Sequence, residues 1–371
     1  MKIIFRICLI LILQITFSKT FAQIHTPTSL NATSNILTNE RVEQLLVRPI
    51  CFDYYDNIET WENTKDFRVE SDRIFISAEL YLPYGDGPWP TIILIPGGFN
   101  NTEEIMMSPR FEAPRLARCG YAATVYYKRG TGLSGGSYAE ATYDDFINDV
   151  GSIAKYLVNE DKIDPKRIGV SGGSQGGIVG SIAAARFDEI SFVINKSGPI
   201  VPMEEENDYN IANALKIRGY SDSLITEVLP LWKRHHSAWS SNDSLALEDI
   251  AKEIRTKRKI FDPFLLPTPY DEVFQDSNLV FMWPVFRSAS KDFLSEMKNM
   301  SKKYLSIYGE LDPIVPAKSC IDNIEKLMKE SHNENVDIVL LKGVGHSFED
   351  QKTQRYIPVI RIVINWLKEN I

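Results

Sequence analysis

Residues 167–177 read Arg-Ile-Gly-Val-Ser-Gly-Gly-Ser-Gln-Gly-Gly, and this stretch decides the fold of the chain. A short apolar run ends at Ser171, a glycine-rich turn follows, and the helical pattern of 178–186 begins directly afterwards. The turn holds two overlapping Gly-x-Ser-x-Gly frames, centred on Ser171 and Ser174. A nucleophilic serine at a sharp strand-to-helix turn needs small residues two positions before and after it. Because Ser171 still belongs to the strand, Ser174 is the predicted nucleophile. A phosphate-binding loop is disfavoured, since no Gly-Lys-Ser/Thr follows.

Short apolar runs alternate with helical patterns on both sides of this segment. Residues 91–95 (TIILI) are typical of a strand buried on both faces, whereas 67–70 and 74–82 alternate like antiparallel strands. This alternation of strands and helices predicts an α/β fold with a mostly parallel central sheet flanked by helices. The other predicted strands are 122–127, 167–171, 192–195, 304–308 and 336–341.

One connection is much longer than a strand–helix–strand crossover requires. More than a hundred residues lie between the runs that end at Asn195 and begin at Tyr304, whereas a crossover needs roughly a few dozen. The stretch is helix-like and rich in aromatic residues, so we predict an inserted helical cap at 199–299. The two parts of the core are then 66–198 and 300–371. The alternative is a peripheral decoration unrelated to the site.

A serine hydroxyl needs a base to accept its proton, and the chain has only five histidines. His346 lies in a glycine-rich loop directly after the last apolar strand, at the carboxyl edge of the predicted sheet. His235 and His236 lie in the insertion and are expected at the surface. His346 is therefore the predicted general base.

The base in turn needs an orienting carboxylate. Asp312 lies in the turn after residues 304–308, again at the carboxyl edge of the sheet. Glu310 is the competing carboxylate because it is closer to the end of the strand. We predict Asp312 as the acid.

Backbone N–H groups that stabilise a developing oxyanion are expected from two loops. The loop that follows residues 91–95 supplies Gly98 or Phe99, and Gln175, directly after Ser174, supplies the second donor. The sequence leaves the choice between Gly98 and Phe99 open.

The composition and the N-terminal segment indicate the partners and the cellular location to expect. The chain has 371 residues and a formal net charge of −8, which disfavours nucleic acid as a partner. Residues 1–22 combine a basic start, an apolar stretch of 11 residues and the small-residue ending Thr-Phe-Ala, the pattern of a secretory signal peptide. We expect a flexible leader and N-terminal extension at 23–65, a secreted or periplasmic mature protein, and no stable membrane insertion after cleavage. The alternative is an uncleaved N-terminal anchor.

The cysteines fit no metal or redox motif. Cys51, Cys119 and Cys320 remain after the predicted cleavage, and their spacing allows at most one disulfide. We expect free, partly buried thiols.

Two further motifs resemble the α/β-hydrolase superfamily, in its branch of dienelactone hydrolases and prolyl-oligopeptidase-like enzymes. Residues 78–83 (AELYLP) before Pro-Gly-Gly at 96–98 resemble the entry of that branch, and 129–135 (RGTGLSG) resemble its Arg-Gly-x-Gly-x-Ser loop. The order Ser174, Asp312, His346 is also that of the superfamily. The resemblance implies an α/β-hydrolase fold and structural roles for Arg129 and Ser134.

Together these features predict a serine hydrolase that cleaves small carboxylic esters through an acyl-enzyme, without a metal or organic cofactor. The alternative is a serine peptidase acting on short peptides, in which the run Glu204-Glu205-Glu206 could bind an N-terminal amine. A charge run is, however, more often a solvated face. An acyltransferase or thioesterase, or a non-catalytic binding protein, is less favoured. The sequence gives no oligomeric state.

Overall fold

The computed structural model describes residues 35–51, 61–98, 102–138, 140–217, 219, 221–241, 243–256 and 291–371. The predicted signal peptide lies outside these ranges. No helix within them is both long and apolar enough to cross a membrane. The strands are β1 Thr64–Ser71, β2 Ile74–Tyr81, β3 Trp89–Ile95, β4 Ala122–Tyr126, β5 Ile163–Gly173, β6 Phe192–Lys196, β7 Lys303–Gly309 and β8 Val336–Leu341. The helices are α1 Asn39–Leu45, α2 Thr102–Arg118, α3 Tyr143–Leu157, α4 Gln175–Arg186, α5 Met203–Ile217, α6 Asp222–Ser240, α7 Ser244–Thr256, α8 Ala317–Glu330 and α9 Val359–Asn370, with a 3₁₀ helix at Leu294–Asn299.

The eight strands form one sheet in the order β1-β2-β4-β3-β5-β6-β7-β8. The pairs β1–β2 and β2–β4 are antiparallel, and every pair from β4 to β8 is parallel. The predicted strands are all present, and the α/β fold with a mostly parallel sheet flanked by helices is confirmed. Since the carboxyl ends of parallel strands meet at one edge, the loops after β3, β5, β7 and β8 converge there.

Strand β3 shows why the central strands read as continuous apolar runs. Ile93 and Ile95 face a core formed with α3, α4 and α8, while Ile92 and Leu94 face a second core formed with α2 and α9. All four side chains are at most 3% exposed. Full burial of each stabilises the fold by roughly 1.5–3 kcal/mol. Both faces of the strand are therefore apolar, and the strand is fixed at the centre of the molecule.

A described part of the predicted leader and N-terminal extension, residues 35–51, is attached to the sheet and the core. Ile36 forms a parallel bridge with Ile338 of β8. Leu45, in the last turn of α1, is 1% exposed within the core that α9 helps to form. The Asn365 amide of α9 donates a 2.9 Å hydrogen bond to the Leu45 carbonyl. This partner lies 320 residues further along the chain, so local composition could not reveal it.

Helices α5, α6 and α7 occupy the described part of the insertion between β6 and β7. The Tyr209 hydroxyl of α5 donates to the Asp312 carbonyl at 2.8 Å, and the Asn213 amide donates to the Pro313 carbonyl at 3.2 Å. At the other end of the predicted cap, Met297 is fully buried in the core that contains α4. The insertion is thus attached to the turn that carries the predicted acid.

A disulfide corrects the expectation of free thiols at two of the three cysteines. Cys51, beyond α1, is bonded to Cys119, which follows α2, with 5.0 Å between their Cα atoms. Cys320 keeps its free thiol and is buried. The bonded pair is 68 residues apart, and spacing alone does not show which cysteines meet when α1 packs at the sheet.

Candidate active site

Ser174 lies at the turn between β5 and α4, as the sequence predicts. Its backbone φ and ψ are 52° and −124°, a conformation that L-residues rarely adopt and that costs about 1–3 kcal/mol. Glycines relieve the crowding around it: a Cβ at Gly172 would overlap the Gly176 carbonyl, and a Cβ at Gly176 would overlap the Ile95 carbonyl. The Ser174 amide donates a 2.9 Å hydrogen bond to the Lys196 carbonyl of β6. The turn therefore holds the serine in the strained geometry of a nucleophile elbow.

Ser171 has a different environment. It lies within β5, where it pairs with Leu94 of β3 and Ile194 of β6. It is 2% exposed, and no described group forms a hydrogen bond with its hydroxyl. A substrate carbonyl has no access to this position, so the geometry agrees with the choice of Ser174.

Asp312 and His346 meet at the carboxyl edge of the sheet. The Oδ2 atom of Asp312 lies 2.7 Å from Nδ1 of His346, and the two side chains are 0% and 18% exposed. The second carboxylate oxygen, Oδ1, accepts hydrogen bonds from the amides of Ile314 at 2.8 Å and Val315 at 2.9 Å. A carboxylate only accepts, so Nδ1 carries the proton and Nε2 is left to accept one.

The competing carboxylate, Glu310, forms a hydrogen bond with the backbone of the histidine loop and not with the histidine side chain. It is exposed, and its Oε2 accepts a 3.0 Å hydrogen bond from the Gly343 amide at the start of the histidine loop. The Leu311 amide donates to the Val344 carbonyl at 2.8 Å. Gly309 packs so closely that a Cβ would overlap the Val344 carbonyl. The acid loop and the histidine loop are thereby held against each other.

The predicted oxyanion donors lie where β3 and β5 end side by side. Ile95 of β3 pairs with Gly172 of β5, and a Cβ at Gly98 would lie 3.9 Å from the Cβ of Gln175. Phe99 lies outside the described residues. The structure therefore brings Gly98 and Gln175 together, and their role as donors stays a prediction.

Lys128 is a residue of this region that the sequence reasoning missed. It follows β4, is 3% exposed, and its ammonium group donates to the Gly97 carbonyl and, at 2.6 Å, to Oε1 of Gln175. Burial lowers the pKa of Lys128 to about 7. Its position next to the Arg-Gly motif was the only signal in the sequence.

Arg129 has the structural surroundings that the resemblance implies. Its guanidinium donates to both carboxylate oxygens of Asp149 at 2.9 and 2.6 Å and to Asp145 at 2.6 Å. Burial raises the pKa of Asp149, and the Arg129 charge acts against that shift. The Ser134 hydroxyl donates to the Tyr127 carbonyl at 2.7 Å. Both side chains fix the loop and neither belongs to the site.

The three glutamates at the start of α5 differ in their exposure to solvent. Glu204 and Glu205 are exposed, whereas Glu206 is partly buried. Burial raises the pKa of the Glu206 carboxyl to about 7; His346 acts against this shift and Asp312 adds to it. A third carboxylate therefore lies within electrostatic reach of the acid–histidine pair.

His235, expected at the surface, is buried in α6. Among the described residues, no group of three His, Cys, Asp or Glu side chains is arranged to hold a metal ion.

Known proteins share this architecture. A family model for X-Pro dipeptidyl-peptidase (S15 family) matches residues 72–280. An esterase of Pyrococcus furiosus is 18% identical, with 86% of this chain and 94% of that chain covered and a TM-score of 0.53. An esterase of Pyrobaculum calidifontis is 14% identical, with 89% and 90% covered and a TM-score of 0.51. A 2,6-dihydroxy-pseudo-oxynicotine hydrolase is 17% identical, with 82% and 67% covered and a TM-score of 0.50.

The fold and the family match define the class of protein, a serine hydrolase of the α/β-hydrolase superfamily. More specifically, the chain belongs to the X-Pro dipeptidyl-peptidase (S15) family, whose model matches more than half of its length. The resemblance inferred from the motifs is thereby confirmed.

Proposed function

We propose that this protein hydrolyses small carboxylic esters, with Ser174 as nucleophile, His346 as general base and Asp312 as the acid that orients it. The observation that carries the proposal is the 2.7 Å contact between Asp312 and His346 at the sheet edge where Ser174 occupies its strained turn. The pair leaves Nε2 of His346 as the only ring nitrogen able to accept the serine proton. This is the arrangement that activates a serine hydroxyl.

The reaction has two halves. In the first, the Ser174 oxygen attacks the ester carbonyl while its proton moves to Nε2 of His346. The amide of Gln175, with Gly98 or Phe99, stabilises the tetrahedral oxyanion. Collapse breaks the bond to the alcohol, which leaves with the proton from His346. In the second half, water gives a proton to His346 and attacks the acyl-enzyme; collapse releases the carboxylic acid and returns the proton to Ser174. No cofactor is required.

We also propose a secreted or periplasmic location. The signal-peptide pattern of residues 1–22 supports it. The disulfide between Cys51 and Cys119 adds support, because such bonds persist in oxidising compartments. N-terminal sequencing of the protein recovered from its native host tests the location: a chain beginning at Gln23 is expected, and an intact Met1 would contradict the proposal.

Turnover of p-nitrophenyl esters from acetate to decanoate tests the ester reaction. Ser174→Ala is expected to lower kcat by about 10⁴-fold or more. Ser171→Ala is the matched control, because it removes the hydroxyl of the competing frame and is expected to stay within threefold of the parent. Full activity in Ser174→Ala, or an equal loss in Ser171→Ala, would contradict the assignment.

A second candidate function, cleavage of short peptides, is favoured by one observation. The Glu206 carboxylate lies near His346 and Asp312, where it could pair with the free amine of a peptide. The family match supports the same reading. The test compares Ala-Pro-p-nitroanilide with its N-acetyl form. A strong preference for the free amine, lost in Glu206→Gln, would establish the peptidase; ester turnover without anilide cleavage would exclude it.

A further inference from the structure

Lys128 is a buried lysine whose described hydrogen-bond partners are neutral. Its ammonium group contacts two neutral oxygens, the Gly97 carbonyl and Oε1 of Gln175, and lies 5.1 Å from the centre of the Phe146 ring. Within the described ranges, no carboxylate forms an ion pair with it. Buried lysines are normally paired, since an unpaired buried charge is costly. The adjacent Arg129 shows the contrast, because three aspartates form ion pairs with it.

The two partners of Lys128 belong to the two halves of the predicted oxyanion hole. Gly97 precedes Gly98 in the loop after β3, and Gln175 follows Ser174 at the start of α4. These segments are not consecutive in the chain: Gly97 lies 31 residues before Lys128, and Gln175 lies 47 residues after it. One side chain from the segment after β4 thus joins the loop to the helix.

The Gln175 side chain is held at its other end as well. Burial raises the pKa of the Tyr143 hydroxyl at the start of α3, and the Gln175 side chain acts against this shift. The side chain of the first residue of α4 therefore interacts with Lys128 on one side and with Tyr143 on the other.

We propose that Lys128 is a positioning residue for the oxyanion hole: it clamps the Gly97–Gly98 loop to Gln175, so that both backbone donors are aligned before substrate binds. This inference rests on the proposed function of Ser174. Preorganised donors stabilise the transition state more than the ground state, because they need no rearrangement when charge develops. Burial lowers the pKa of Lys128 to about 7, and the amine donates hydrogen bonds in both of its protonation states.

Lys128→Met tests the proposal, because it keeps an unbranched side chain that is one atom shorter and removes the donors. We expect kcat to fall by about 10²-fold, the effect of losing one oxyanion donor, while KM changes by less than threefold. The inhibition constant of a trifluoromethyl ketone, which forms a tetrahedral adduct with the serine, should rise by the same factor as kcat/KM falls. A loss of general stability alone would not produce that proportionality.

Lys302→Met is the matched control. Lys302 is also partly buried and donates to a backbone carbonyl, that of Phe187, at 2.6 Å, but it precedes β7 at the opposite edge of the sheet. Its kcat and inhibitor affinity should stay within twofold of the parent. If Lys128→Met does not fold, Gln175→Met removes the same hydrogen bond from the other side and should lower kcat by about tenfold.

The outcomes separate the two proposals. Ester turnover that survives Ser174→Ala would refute the proposed function and with it the role of Lys128. Turnover that Ser174→Ala abolishes but Lys128→Met leaves within threefold would overturn the role of Lys128 alone. If Lys128→Met raises KM but leaves the affinity for the trifluoromethyl ketone unchanged, the proposed role of Lys128 is also wrong.

Discussion

Replacing Asp312 by asparagine is the sharpest test of the site, because the structure dictates which way the new side chain must face. Oδ1 of Asp312 accepts from the amides of Ile314 and Val315. An asparagine must keep its only oxygen at those two donors, so its NH₂ group points at His346. A donor there requires Nδ1 to be an acceptor, which moves the ring proton to Nε2. The histidine is then in the wrong tautomer to accept the proton of Ser174.

The magnitude follows from this tautomer argument. The shape of the side chain is unchanged, so the effect falls on catalysis and not on packing. An asparagine at the acid position of such a triad lowers kcat by about 10⁴, which corresponds to about 5.4 kcal/mol of transition-state stabilisation. Unfolding by urea should have nearly the same midpoint in the variant and the parent.

Stopped assays with p-nitrophenyl butyrate at pH 7.5 measure the effect, with Glu310→Gln as the matched control. Glu310 accepts a hydrogen bond from the Gly343 amide, and its amide variant keeps an oxygen for that bond, so a change of less than threefold is expected. If Asp312→Asn keeps more than a tenth of the parent kcat, Asp312 does not set the tautomer of His346. If Glu310→Gln loses as much as Asp312→Asn, the assignment of the acid is wrong.

Three further predictions concern stability and pH. Arg129→Met should lower the free energy of unfolding by about 3–5 kcal/mol, because it leaves the Asp149 carboxylate buried and unpaired; an unchanged urea midpoint would contradict this. Replacing Cys51 and Cys119 by serine should cost about 4 kcal/mol, since the bond closes a 68-residue loop in the unfolded chain; equal midpoints under non-reducing conditions would refute it. Glu206 has a folded pKa of about 7, above its ordinary 4.5, so its contribution to stability is complete below pH 4.5 and is lost as the pH rises through 7. Glu206→Gln should therefore be more stable than the parent at pH 8, by at most about 3 kcal/mol, and equally pH-dependent unfolding in both proteins would exclude the effect.

The strands and the elbow were predictable because their signals are local. A central strand such as β3 is buried on both faces, so its sequence is apolar without interruption. The elbow requires glycines at fixed distances from Ser174, where any Cβ would overlap a neighbouring carbonyl. In both cases the physical constraint acts within a few residues of the chain, and the pattern can be read without knowing the rest of the fold.

The features that escaped prediction depend on partners far apart in sequence. The end of α1 accepts a hydrogen bond from Asn365, and Cys51 is bonded to Cys119; local composition can indicate neither contact. Lys128 and Arg129 are adjacent basic residues, yet one meets neutral oxygens and the other meets carboxylates. Their difference exists only after β3, β4 and β5 are assembled.

The run Glu204-Glu205-Glu206 shows how helical geometry turns one pattern into two roles. Successive residues of an α-helix are rotated by about 100° around its axis, so three consecutive side chains span about 200° and cannot all face solvent on a helix that packs against a core. Glu204 and Glu205 are exposed, and Glu206 turns inward toward His346 and Asp312. The solvated-face interpretation of a charge run is therefore correct for the first two residues and wrong for the third. The insertion is also anchored at this helix through Tyr209, which bonds the Asp312 carbonyl. The helix that carries Glu206 is therefore attached to the turn of Asp312, as the proposed binding of a substrate amine would require.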